Sequence, residues 1–263
     1  DACTALAAGE SCSFSYDVLV PSGEDPLTTQ VEARYRPEGF GDVVSASASH
    51  TVDVFQPSVA VTMAGDALSQ AEETVTYQVT ITNTSSGDAP DLILEGIADS
   101  REGELTVRGG CRVLVSEEVC TFSYDVGVPP NEDPLSTRVE VRYRPDGFEN
   151  AVDAAASHMV EIFQPSIAVE TSGPERAVEG TEMIYTVDVE NTSSDDAPDL
   201  ILSAIADDLR GDLTREGGGV TATCPDRLAS GERCQVTYAY TPDAADPRSL
   251  VNTVRVEGRP LGF

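Results

Sequence analysis

Val52–Val61 reads VDVFQPSVAV, and Val160–Val169 reads VEIFQPSIAV, the same ten-residue phrase 108 residues further on. On both sides of Phe-Gln-Pro-Ser, apolar side chains alternate with others, the period of a strand with one face in a core. Proline has no N–H for a sheet ladder and drives the residue before it into an extended conformation. Each copy therefore predicts the last strand of one β-domain, a stiff crossing, and the first strand of the next. The predicted inter-domain junctions are Phe55, Gln56, Pro57 and Ser58, and then Phe163, Gln164, Pro165 and Ser166. A crossing this short leaves no room for a flexible linker.

Outward from these junctions the repetition continues. CSFSYDVLVPSGEDPLTTQVEARYRPEGF, from Cys12, returns from Cys120 as CTFSYDVGVPPNEDPLSTRVEVRYRPDGF. Over residues 1–58 and 109–166 more than half the positions are identical. A looser copy, CQVTYAYTPDAADPRSLVNTVRVEGRPLGF, starts at Cys234, its drift accounted for by small loop insertions. A period of about 108 residues predicts the C-terminal half of a repeat at 1–54, a complete repeat at 55–162, and a repeat lacking its last strand at 163–263. The simplest expectation is a window on a longer array; completion by a neighbour's strand is the alternative, since a sandwich short of a strand exposes an edge.

Inside the complete copy, Val75, Tyr77, Val79 and Ile81 alternate with Thr76, Gln78, Thr80 and Thr82. Met183, Tyr185, Val187 and Val189 keep that code in the next copy. Leu92-Ile93-Leu94, then Phe122, Tyr124 and Val126, then Val139, Val141 and Tyr143 mark further strands. Phe148, after the Pro145-Asp146-Gly147 turn, is expected to plug the core. About seven short strands with regular turn signals predict an all-β chain of tandem Ig-like β-sandwich domains, arranged as an elongated rod.

The net charge is −30, from 46 acidic and 16 basic residues, and every basic residue is Arg. Such a surface repels nucleic acid and anionic lipid, so neither is expected as a partner. A highly soluble surface, a salty habitat and a surface that collects divalent cations all fit this charge. No stretch is long or apolar enough to insert into a membrane. The cysteines fall in pairs, Cys3 with Cys12, Cys111 with Cys120, and Cys224 with Cys234. Their gaps of eight to nine residues exceed those of paired zinc ligands, and no further His or Cys lies near. Disulfides are the better reading; each short loop contributes ~2–3 kcal/mol, and they imply an extracellular or cell-surface location.

NTSSxDAPDLIL, LASGERC, DPLxTxVxVRYRPxGF and FQPSxAV together resemble the tandem Ig-like (DUF11-like) repeats of large bacterial surface and secreted proteins. The likeness covers essentially the whole chain. It departs at Val115-Ser116-Glu117, which replaces the usual Gly-rich turn and is expected to alter turn geometry. The resemblance implies a non-enzymatic repeat protein of an extracellular filament, sheath or surface stalk, with no catalytic residue. Its partners would be itself or neighbouring repeats of the same polypeptide. An adhesin or ligand-binding module, with these repeats as spacer and surface glycans as possible ligands, is the alternative.

The chemistry read from individual residues is sparse. His50 and His158 share one phase of the repeat and read as structural, and no nucleophile motif or phosphate loop occurs. No cofactor is expected, with calcium the one candidate. Its ligands would come from Asp88, Asp91, Asp195, Asp196 and Asp199, supported by Glu24-Asp25 and Glu132-Asp133, because hard cations gather oxygens from a loop or a domain junction. Asn83 and Asn191, each followed by Thr-Ser, match the N-glycosylation pattern in what reads as an exposed loop.

Overall fold

Alternating β-branched residues punctuated by Gly, Pro, Asn and Asp dictate strands and turns, and the described residues contain strands and no helix. The computed structural model describes residues 3–105 and 111–263. β1 (Leu27–Tyr35) and β2 (Val44–Val52) form an antiparallel hairpin. All nine residues of β2 are exposed.

Two facing sheets follow. β3 (Val59–Ala64), β5 (Thr74–Asn83) and β9 (Val119–Gly127) form the first, with β5 central and both pairings antiparallel. The second runs β4 (Leu68–Gln70), β11 (Val152–Phe163), β10 (Leu135–Pro145), β6 (Leu92–Asp99), β7 (Gly103–Glu104), with β8 (Val113–Leu114) also on β6. Among the described residues only β4 and β11 pair in parallel. The described residues from β3 to β11 thus hold nine strands, six long ones and three very short, where the sequence predicts about seven. The short ones, β4, β7 and β8, are two or three residues long, below what periodicity can reveal.

Val75, Tyr77, Val79 and Ile81 on β5 are fully buried, as are Val139 and Tyr143 on β10. Each such side chain contributes about 1.5–3 kcal/mol by leaving water. Gly65 fits against the Tyr77 ring, where an added Cβ would lie 2.8 Å from Cδ1; Gly173 stands likewise against Tyr185. Tyr143 Oη donates to the Cys111 carbonyl at 2.7 Å, tying β10 to the disulfide loop. All three predicted pairs are disulfides, and no cysteine is free.

The same plan recurs further on. β12 (Ile167–Ser172), β13 (Met183–Asn191), β18 (Arg233–Tyr240) and β16 (Val220–Ala222) make one sheet in that order, with β16 at its edge beside β18. β14 (Leu200–Asp207) joins β15 (Gly211–Asp212), β17 (Arg227–Leu228) and β19 (Val254–Pro260) in the other. Even the irregularities match: the β10/β6 register shifts at Arg142/Tyr143, and the β14/β19 register at Leu202/Ala204. The result is an all-β chain consistent with β-sandwiches.

A contrast shows what makes a strand here. Phe122, Tyr124 and Val126 lie on β9 because β5 runs beside them. Their counterparts Phe14, Tyr16 and Val18 belong to no strand and are 64%, 52% and 45% exposed.

Candidate functional site at the Phe-Gln-Pro-Ser junctions

The two predicted junctions are built alike. After Phe55-Gln56-Pro57, the Ser58 N–H donates to Ser85 Oγ at 3.0 Å, and the Thr84 N–H donates to the Ser58 carbonyl at 2.9 Å. At the second junction, the Ser166 N–H donates to Ser193 Oγ at 3.0 Å, and the Thr192 N–H to the Ser166 carbonyl at 2.9 Å. The Gln56 and Gln164 N–H groups donate to Ser86 Oγ and Ser194 Oγ, both at 2.9 Å. On the upstream side, Asp25 Oδ1 accepts from the Val54 N–H at 3.1 Å, and Asp133 Oδ1 from the Ile162 N–H at 3.0 Å. A crossing with its N–H groups tied on both sides, and with proline fixing φ, has little slack.

Aromatic pairs complete each junction. Phe55 meets Phe148 edge to face at 4.7 Å and 72°, and Phe163 meets Phe263 with the same distance and angle. This corrects the expectation that Phe148 plugs the core. It is 47% exposed and caps the crossing instead, held there because the Asp146 N–H donates to the Asp91 carbonyl at 2.8 Å.

Asn83 and Asn191 also sit differently from the sequence reading. Both are buried, at 1% and 0% exposure. Each Nδ2 donates to a backbone carbonyl at 2.8 Å, of Leu114 or Leu228, and each Oδ1 accepts the N–H of Ser85 or Ser193 at 3.0 Å. Their amide nitrogens are therefore committed to the fold, and neither is an exposed glycan acceptor. The turn at Glu117 brings another correction. Glu117 takes φ 65°, matching φ 73° at Gly231, and both N–H groups donate to the carbonyl of their repeat's Asn. The substitution leaves the turn geometry intact.

Among the described residues, one group of three acids comes together, Asp25, Asp53 and Asp88, with carboxylate oxygens within 4.8 Å of one another. They come from three places: the loop before β1, the residue after β2, and the Asn83–Asp91 loop. Of the calcium candidates Asp88 belongs to it, together with the supporting Asp25; Asp91, Asp195, Asp196 and Asp199 lie in their loops outside any such group among the described residues. Asp53 escaped the sequence reading because its partners are distant in sequence. The Asp25 carboxylate first, then some loss of hydration and the Asp88 carboxylate, hold the Asp53 carboxyl above the ordinary carboxylate range. Three exposed oxygens fall short of the about 6–8 that calcium takes, so the fit is poor. Asp53→Asn, which removes repulsion, should raise the midpoint of thermal unfolding at low salt, and the gain should shrink as salt is added. A lowered midpoint would instead mean that the three carboxylates share a cation.

His158 is structural in its contacts: Nε2–H donates to the Asp66 carbonyl at 3.0 Å and the ring stands edge-on to Tyr77.

No protein-family model matches the chain, and no curated protein does. Among solved structures, the native conformation of E. coli alpha-2-macroglobulin is similar at 11% identity and a TM-score of 0.23. The match covers 90% of this chain and spans 21% of that one. A likeness this weak carries no argument about fold or function. The three disulfides point to an oxidising environment.

Proposed function

We propose that this chain is a non-catalytic, load-bearing array of Ig-like β-sandwich repeats from an extracellular filament, sheath or surface stalk. The observation that carries the reading is the junction made twice, with the same hydrogen bonds and the same edge-to-face phenylalanine pair. Recognition of a ligand favours loops that differ between repeats, whereas transmission of tension favours identical couplings. One disulfide per repeat adds covalent closure close to each strand β9 or β18. The extreme negative charge keeps such an array soluble and separate from nucleic acid and anionic membranes.

Electron microscopy of the native material is the test. Regular filaments whose axial repeat is a whole number of domain lengths are expected. Separate rods of uniform length with a distinct tip would favour an adhesin stalk instead. On this chain itself, Pro57→Gly with Pro165→Gly should loosen both crossings. Small-angle scattering should then show a shorter maximum dimension and a broader distance distribution; unchanged scattering would contradict stiff junctions.

A further inference from the structure

We propose that the outward face of the β3–β5–β9 sheet is a lateral contact, and that its partner is the same face of a second copy of this chain. Along these strands the better-buried positions alternate with the more exposed ones that form this face. Pairing sets Thr62 opposite Thr80 and Thr80 opposite Thr121, with Ala64, Gln78 and Ser123 in the next row. Thr80 Oγ1 and Thr121 Oγ1 lie 3.4 Å apart. Among the described residues Asp125 is the one charge on this face. It stands beyond the end of β3, and its Oδ1 accepts the Thr76 hydroxyl at 2.7 Å.

Strand formation does not account for the missing charge. Strand propensity favours Thr at such positions, yet the equivalent positions elsewhere in this chain are charged. In the next repeat the counterparts include Glu170, Asp188, Glu190 and Arg233, with Arg233 paired to Glu190 at 2.9 Å. β5 and β13 thus keep their inward code and change their outward one. On the facing sheet, Arg138 pairs with Glu140, and Arg142 with Glu95 and Asp153. In the first copy, Ser13, Ser15 and Asp17 keep the hydroxyl pattern of Thr121, Ser123 and Asp125.

The charge balance identifies the partner. Two chains of net charge −30 repel each other over most of their surfaces. A cationic partner would be drawn to the acidic loops, and an anionic one to the arginines of β10. A nearly neutral face suits a partner of like charge, and another copy is such a partner. A two-fold axis would set the Thr62–Thr80–Thr121 row against its own equivalent. Threonine is stiff at χ1, so little side-chain freedom is lost in the contact. Strands ~4.8 Å apart, with same-face residues every ~6.8 Å, give a face of about 400 Å² in projection. One such contact is weak and gains strength when many copies lie side by side in an array.

This rests on the array reading and names its sideways contact. The test is sedimentation equilibrium of the full chain over a concentration series, at ~0.15 M and ~0.5 M salt. A reversible dimer with a dissociation constant of about 0.1–1 mM is expected, tightening as salt screens the repulsion. Thr121→Glu with Ser123→Glu should weaken it about tenfold or more, because four carboxylates would meet across the two-fold axis. Ala155→Glu with Ser157→Glu, on the outward face of β11, adds the same charge and should leave the dimer unchanged. All four positions are exposed, so the fold is spared. A chain that stays monomeric at both salt concentrations would overturn the proposal, and so would equal losses in the two variants. A monomer whose scattering still shows stiff crossings would remove this contact and leave the array reading standing. Loose crossings in a chain that still pairs through this face would do the reverse.

Discussion

Asp99→Ala should destabilise the sandwich between β3 and β11 by about 3–5 kcal/mol, the largest loss expected from any single substitution here. Asp99 ends β6 and is 4% exposed. Its Oδ1 accepts the Arg101 N–H at 2.8 Å and the Glu102 N–H at 3.0 Å, closing the turn into β7. Its Oδ2 accepts the Tyr124 hydroxyl at 2.8 Å, and Tyr124 lies on β9 in the opposite sheet. One carboxylate thus shapes a turn and ties the two sheets together. Asp207 repeats the arrangement with the Leu209 and Arg210 N–H groups and the Tyr238 hydroxyl, at 3.0, 2.7 and 2.6 Å. Alanine would strand two turn N–H groups and a phenol. Asn would keep the Oδ1 bonds and let the phenol accept from Nδ2, so Asp99→Asn should cost far less, about 1 kcal/mol. Urea unfolding of both variants checks this. Equal losses would show that charge, not hydrogen-bond geometry, holds the turn.

Strands with one buried face were the legible part of this sequence, because their signal is local. The alternation at Val75–Ile81 and Val139–Tyr143 states which side faces inward, and both runs are buried as read. Cysteine pairing was legible for the same reason: each pair closes across a short loop. Reading failed where a residue's place depends on partners far along the chain. Asn83 looks like a polar loop residue, yet it is buried because the Leu114 carbonyl, 31 positions away, needs a donor. Asp53 joins Asp25 and Asp88 only because the crossing brings the two loops beside the end of β2. Phe148 reads as a core plug until Phe55, far back in sequence, is seen to meet it. The short strands β7 and β8 exist only as partners for β6. The duplicated phrase compensated for much of this, since a repeat reveals that a contact is needed even where it cannot name the contact.

Alkaline titration should unfold this chain between pH 10 and about 12, with phenol ionisation as the cause. Of eight tyrosines, six have phenols held above their ordinary value. Burial pushes Tyr143 up to about 12. Burial, with the hydrogen bond to the neighbouring Asp99 or Asp207 carboxylate, raises Tyr124 and Tyr238 further. For a phenol whose folded pKa exceeds its unfolded pKa, the folded state holds the proton longer. The stabilisation is complete below the unfolded value near ~10 and is lost as pH rises through the folded value. For Tyr143, fully buried, the loss amounts to about 2–3 kcal/mol by pH ~12. The absence of lysine leaves no ammonium groups to titrate in this window, so absorbance at 295 nm and proton release should report the phenols alone. Phenolate absorbance should lag behind that of free tyrosine and then rise together with loss of the strand signal in circular dichroism. In Asp99→Asn, loss of the carboxylate should bring Tyr124 down and start its ionisation earlier. Gradual ionisation of these six near pH ~10, with the strands intact, would show that their phenols reach water freely, and the Asp–Tyr ties between the sheets would have to be abandoned.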